Sequence, residues 1–256
     1  ACEKSGDNNG STTQTPTPPV VPPSPPVVPP PAPTQKPAAY DWDFYLEPSR
    51  LSVVKNERNA ELKKLYYQVY GTPCGGWYDG VSPTKEKNEG WLKNFVEGAD
   101  RAQKTPIVVL YGIPNRDCGS FSKGGHPTAA SYKAWIDRVS AIIGQRRAVV
   151  IVEPDAINYC GHKKGTQAYN ERAELLTYVG QTLQKNNPNV VTYIHAGNSV
   201  LTTNHPEAIA QAIIDGGLQY MRGFALNVSG LGGTLEEQEG AEKFVAYLAS
   251  KGFKDK

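Results

Sequence analysis

Two aspartates, Asp117 and Asp155, each sit where an apolar run of buried-strand character gives way to polar residues. Thr105 to Pro114 (TPIVVLYGIP) precedes the first, and Ala148 to Ala156 (AVVIVEPDA) contains the second. On consecutive strands of one parallel sheet, their carboxyls should face one another across the mouth of the fold. That pairing suits glycoside hydrolysis, in which one carboxyl stays protonated to donate to the leaving oxygen. A second negative charge nearby helps by raising the donor's pKa. Spacing alone leaves ordinary roles open, since aspartates at strand ends also cap helices and pair with arginines such as Arg116.

The elements that must position these carboxyls follow from alternating apolar and amphipathic stretches. After the strand ending near Pro114, Ala129 to Gly144 reads as a helix and Ala148 to Ala156 as the next strand. Thr166 to Asn186 reads as a helix, with Tyr169, Leu175, Leu176, Val179 and Leu183 near one face. Asn189 to Gly197 is a third strand with a helix from His205 to Gly217, and Met221 to Ser229 a fourth with a helix from Thr234 to Gly252. Nearly continuous apolar strands separated by helices predict a parallel sheet covered on both faces, as a barrel or an open doubly wound sheet. Polar residues gather at the strand ends: Asn115-Arg116-Asp117, Glu153-Pro154-Asp155, His195 to Asn198, and Asn227. Carboxyl ends of parallel strands are where α/β barrels place their chemistry.

Several classes are excluded. No G-x-G-x-x-G follows the first strand and no Walker motif occurs, so nucleotide and dinucleotide readings lose their support. His126, His162 and His205 lack metal spacing, and no cofactor is expected. The net charge is +2 with basic and acidic residues interspersed, which argues against a nucleic-acid partner. No run of eighteen apolar residues occurs to span a bilayer.

Residues 1–40 hold 12 of the 21 prolines and no aromatic residue before Tyr40. Such a stretch cannot bury enough apolar surface to offset its ordering entropy. It is expected to be a disordered Pro-rich linker, leaving residues 41–256 as the folded domain. Residues 16–37 favour polyproline II, and at ~3.1 Å per residue would reach roughly 70 Å. The opening Ala1-Cys2-Glu3-Lys4-Ser5-Gly6 resembles a bacterial lipoprotein after signal removal, with a small residue before a lipid-bearing cysteine. Two readings stay open: a membrane tether through Cys2, or an ordinary remnant of export. Both place the protein outside the cell.

Tyr111-Gly112-Ile113-Pro114-Asn115-Arg116-Asp117-Cys118-Gly119 and Ile151-Val152-Glu153-Pro154-Asp155 closely resemble the two signature regions of glycoside hydrolase family 6, the inverting cellobiohydrolases and β-1,4-endoglucanases. Gly76-Trp77-Tyr78, Ser131 to Asp137, Ala196-Gly197 and Ala225-Leu226-Asn227 add to the match, which runs from about Tyr45 to the end. The resemblance implies a distorted, TIM-like parallel β/α barrel that cuts cellulose or related β-1,4-glucan, here expected to act as a monomer. It implies Asp155 as general acid and Asp117 as the aspartate that tunes it and helps organise the attacking water. Tyr111 would lie under the sugar at the cleavage point, and Trp77 would stack on a glucose. Asn198 and Asn227 are candidate sugar contacts, although Asn227-Val228-Ser229 is also a glycosylation sequon. A disulfide between Cys118 and Cys160 follows from the same resemblance, leaving Cys74 free. Glu153 is expected to be a buried acid paired with a basic neighbour, and Tyr132 and Trp135 to pack helix against barrel.

The chain also departs from the family. Its third strand ends His195-Ala196-Gly197-Asn198, where the family shows Asp-Ala-Gly-His and then a tryptophan; this chain has Leu201. Lys123 stands in place of a water-holding serine, beside Ser122, and Leu231 in place of a tyrosine. The family continues past the point matching Lys256 into a further strand and an acidic loop that carries its candidate base. The barrel of residues 41–256 is therefore expected to be C-terminally incomplete, with weak or absent turnover on its own. A non-catalytic carbohydrate-binding surface protein on the same fold is the alternative.

Overall fold

A computed structural model describes residues 43–81, 89–230 and 232–256. The proline-rich linker, Cys2 and Leu231 lie outside the described residues.

Five parallel strands form one sheet: β1 (Gly76–Tyr78), β2 (Ile107–Leu110), β3 (Ala148–Val152), β4 (Val190–His195) and β5 (Gly223–Ala225). Their spatial order is β1-β2-β3-β4-β5. A doubly wound sheet reverses its strand order at a switch point. This sheet never reverses, so it is wound as a β/α barrel is. Register aligns the strand ends, with Leu110 opposite Val152 and Val152 opposite Ile194, and the loops that follow all emerge at one pole.

Helices connect the strands: α1 (Ser52–Asn56) and α2 (Ala60–Tyr70) before β1, α3 (Glu89–Arg101), α4 (Ala129–Ile143), α5 (Gln167–Asn186), α6 (Ser199–Asn204), α7 (Pro206–Asp215) and α8 (Thr234–Ser250). α4 starts at a capping box in which Thr128 accepts the Ser131 amide while the Ser131 hydroxyl takes the Thr128 amide. Thr166 caps α5 through the Tyr169 amide. No helix among the described residues is long and apolar enough to cross a membrane.

The sequence predicts four strands, and the structure has a fifth. β1 is three residues, Gly-Trp-Tyr, too short for any periodic signal. α3 precedes the strand-helix alternation that begins at Thr105 and is a further element, burying Leu92, Phe95, Val96 and Ala99 at helical spacing. The helix expected over residues 205–217 forms as α7, opened by Pro206 at its first turn, and the short α6 before it, ended where His205 leaves helical geometry, is additional. The last strand stops at Ala225 rather than Ser229, since Asn227 adopts a positive φ of 57°.

Trp135 and Tyr132 on α4 are fully buried against the sheet, as their placement at the helix-to-barrel contact required. Gly112, just past β2, admits the indole: a Cβ there would lie 2.8 Å from the Trp135 ring and 2.9 Å from the Asp79 carbonyl.

Candidate active site

Backbone strain marks the pole where the strands end. Asn115, Asp117 and Cys118 after β2, Glu153, Asp155, Tyr159 and Cys160 after β3, and Asn227 after β5 all have positive φ. Non-glycine residues hold this conformation only where their surroundings impose it, and such residues concentrate at functional sites.

Asp155 stands at that pole with φ 66° and makes no capping bond to the short helix that follows. Its amide donates to His195 Nδ1 at 3.1 Å, from the end of the neighbouring strand β4. Its Oδ1 lies 3.1 Å from the Ser229 hydroxyl, in the loop after β5. Backbone and carboxyl are thus held from two different elements.

Asp117 lies in the adjacent loop, where its Oδ2 accepts the Ser122 amide at 2.8 Å. Arg116, the candidate partner of either aspartate, turns elsewhere. Its Nη1 pairs with Asp79 at 3.1 Å and donates to the Tyr111 carbonyl at 2.7 Å, and its Nε donates to the Ser122 carbonyl at 2.8 Å. Burial pushes the Tyr111 phenol up; the Ser122 hydroxyl pulls it down, the Asp155 and Asp117 carboxylates push it up, and Arg116 lowers it. The Tyr111 phenol therefore feels both aspartates. Trp77, on β1, packs edge-on against Tyr111 with centroids 5.1 Å apart, so two aromatic rings line one side of the pole.

Cys118 and Cys160 are disulfide-bonded, with Cα atoms 5.3 Å apart, and tie the β2 loop to the β3 loop. Glu153 is fully buried and is engaged differently from the expected ion pair. Its carboxylate accepts the Gly112 and Ile113 amides at 3.0 Å each and the Tyr132 hydroxyl at 2.8 Å. Burial pushes Glu153 up to about 7, against these donors and the Arg172 charge. Arg172 itself donates to the Ala156 and Pro114 carbonyls.

The two candidate asparagines serve their own loops. Asn198 caps α6, its Oδ1 accepting the Leu201 amide at 3.0 Å. Asn227 clamps the Gly232 peptide, accepting its amide at 3.0 Å and donating to its carbonyl at 3.1 Å. In each the side-chain oxygen accepts one hydrogen bond, and in Asn227 the amide nitrogen donates one as well, so part of each amide's capacity is taken by its own loop. Sequence reasoning missed Asp79 and His195. A histidine where the resemblance has an aspartate was the available signal for His195; Asp79 carried none. Cys74 is exposed with a free thiol. Among the described residues no three His, Cys, Asp or Glu side chains group to hold a metal ion.

The fold and this strained pole define an α/β protein wound as a β/α barrel is, with its polar side chains gathered at the carboxyl ends of the strands. The chain belongs to the glycosyl hydrolases family 6, whose family model matches residues 43–249. It is similar to Endoglucanase 1 of Streptomyces halstedii, 31% identical over 190 residues, covering 73% of this chain and 57% of that protein. Endoglucanase A of Cellulomonas fimi is 30% identical over 216 residues, covering 82% and 45% respectively. The chain spans between 26% and 57% of the length of the curated relatives it matches first. Among solved structures, the endoglucanase Cel6 from Mycobacterium tuberculosis, in complex with a thio-linked cellobioside, superposes with a TM-score of 0.67 at 32% identity, covering 81% of this chain and 69% of that one. The Humicola insolens cellobiohydrolase II, 20% identical with a TM-score of 0.66 over 83% of this chain and 70% of its own, shares the fold.

Proposed function

We propose that this protein hydrolyses β-1,4-glucosidic bonds in cellulose or a related β-glucan with inversion of the anomeric centre, Asp155 being the general acid. The observation that carries the reading is the setting of Asp155. It is held in a left-handed conformation at the end of β3, with its carboxyl used neither as a helix cap nor by Arg116. The endoglucanase names of the relatives support a glucan as substrate.

In this reading the Asp155 carboxyl gives its proton to the glycosidic oxygen as the bond to the anomeric carbon breaks. Water attacks that carbon from the opposite face, organised in part by Asp117, and the proton it sheds on becoming the new hydroxyl passes to solvent water. Tyr111 lies under the sugar at the point of cleavage, fixed by Arg116, and Trp77 offers a flat apolar face to a neighbouring glucose. Asn198 and Asn227 contribute as sugar contacts through the hydrogen-bonding capacity their own loops do not use. The protein works outside the cell as a monomer, with a catalytic domain at 41–256 carried behind the proline-rich residues 1–40 and Cys2 as a lipid tether. No cofactor has a part.

Proton NMR of freshly released product tests the stereochemistry: the α-anomer is expected first. A β-anomer would contradict inversion, and glucan binding without any new reducing end would favour the binding-only alternative.

A further inference from the structure

We propose that His195 is the positioning residue of the proton donor: its neutral ring accepts the Asp155 amide and keeps that residue in its left-handed conformation, and protonation of the ring releases it. The inference rests on the reading of Asp155 as general acid for its catalytic consequence, but its geometry stands by itself.

The Asp155 amide lies 3.1 Å from Nδ1 of His195. A backbone amide only donates, so Nδ1 must carry a lone pair and the ring proton must sit on Nε2. A second proton would set two donors against each other. The Asp155 backbone, at φ 66°, would then lose the contact that holds it in a conformation non-glycine residues adopt only under constraint. The Ser229 hydroxyl holds the same residue by its carboxyl, so His195 fixes the backbone while Ser229 fixes the head group.

The surroundings keep the ring neutral. His195 is 2% exposed. Burial pushes its pKa down, opposed by the Asp155 carboxylate and by the Gly197 backbone. Asp155, from the β3 loop, is the charged group acting on the ring; the turn between β4 and α6 presents the backbone of Gly197. Nε2 is buried beside that backbone without a hydrogen bond of ordinary geometry among the described residues. Burial outweighs what the carboxylate and the Gly197 backbone offer the cation, so the ring is held neutral more readily than a free imidazole.

Two readouts test this in the native protein. Nitrogen-15 NMR of the imidazole should show the Nε2–H tautomer, and the Asp155 amide resonance should titrate with the ring at a midpoint below that of a free histidine. An Nδ1–H tautomer, or an Asp155 amide indifferent to the ring's titration, overturns the proposal whether or not the protein cuts glucan. In the pH profile on cello-oligosaccharides, the acid limb of kcat should follow the His195 midpoint. His195→Leu, lacking the acceptor, should lower kcat about tenfold or more with little change in KM. His195→Asn, whose carboxamide oxygen accepts the amide and does not titrate, should recover part of that loss and move the acid limb to lower pH. Equal kcat in the Leu and Asn variants, with the parent's acid limb kept in both, contradicts it. Absence of hydrolysis by the parent would instead count against the functional reading, with the NMR titration still deciding the role of His195.

Discussion

The Arg116 guanidinium stands 4.6 Å from the centre of the Tyr111 ring while its Nη1 donates to the Tyr111 carbonyl at 2.7 Å. The same nitrogen pairs with Asp79 at 3.1 Å, in a bridge whose side chains are 14% and 18% exposed. The tyrosine is thereby clamped over its face and at its backbone by one arginine, which is itself held by the loop after β1. Arg116→Lys keeps the charge but loses the planar fork that makes these contacts together. It should reduce kcat/KM by an amount equivalent to ~1.5–3 kcal/mol, the range for hydrogen bonds to charged groups. A double-mutant cycle with Asp79→Asn should show coupling, whereas strict additivity would mean that the two residues act separately.

The disulfide links two strained loops, one carrying Asp117 and the other Asp155. Its partners are 42 residues apart, and chain-entropy arithmetic for a closed loop of that length gives about 4 kcal/mol of stabilisation. Cys118→Ala with Cys160→Ala should lower unfolding stability by up to that amount. Chemical denaturation with and without reductant checks it, and a parent indifferent to reductant would contradict it.

Glu153 makes stability depend on pH. Its folded pKa is raised to about 7 from the ordinary 4.5, so within that window the folded state keeps a proton that the unfolded chain has released. Stability therefore falls as pH rises through the window, and the loss is complete above it. Its size is on the order of 3 kcal/mol at 1.36 kcal/mol per pH unit. His195 works the other way: its pKa is lowered, so its contribution is lost as pH falls below the ordinary histidine value. Glu153→Gln removes the first slope. The unfolding free energy of the parent minus that of the variant should be more positive at about pH 5 than at about pH 8. A constant difference would show that Glu153 does not titrate between these values.

What the sequence disclosed follows from the range of its signals. Long apolar runs such as Ala148 to Val152 and amphipathic stretches such as Gln167 to Asn186 repeat often enough to declare their period, and both formed where expected. β1 did not, because three residues carry no period and its identity comes from pairing with β2. In the site, Asp117, Asp155 and Tyr111 were recognisable because they stand in contiguous motifs. The partners that orient them were not: Asp79 reaches Arg116 across 37 positions and His195 reaches Asp155 across 40. Contacts at that separation depend on strand order, which spacing does not encode. Asn198 and Asn227 show the converse, since their hydrogen bonds are local, yet a helix cap and a loop clamp use the same residue type as a sugar contact.

The central claim is that Asp155 supplies the proton to the leaving oxygen, and leaving-group dependence tests it most directly. In the native protein, kcat of Asp155→Asn should be compared with that of the parent on two substrates, an unmodified cello-oligosaccharide and its dinitrophenyl glycoside, whose leaving group departs without protonation. The account expects Asp155→Asn to lose nearly all hydrolysis of the oligosaccharide while still binding it, and to retain much of the parent rate on the dinitrophenyl glycoside. An Asp155→Asn protein that cuts the oligosaccharide as fast as the parent, or loses both substrates equally, would contradict it.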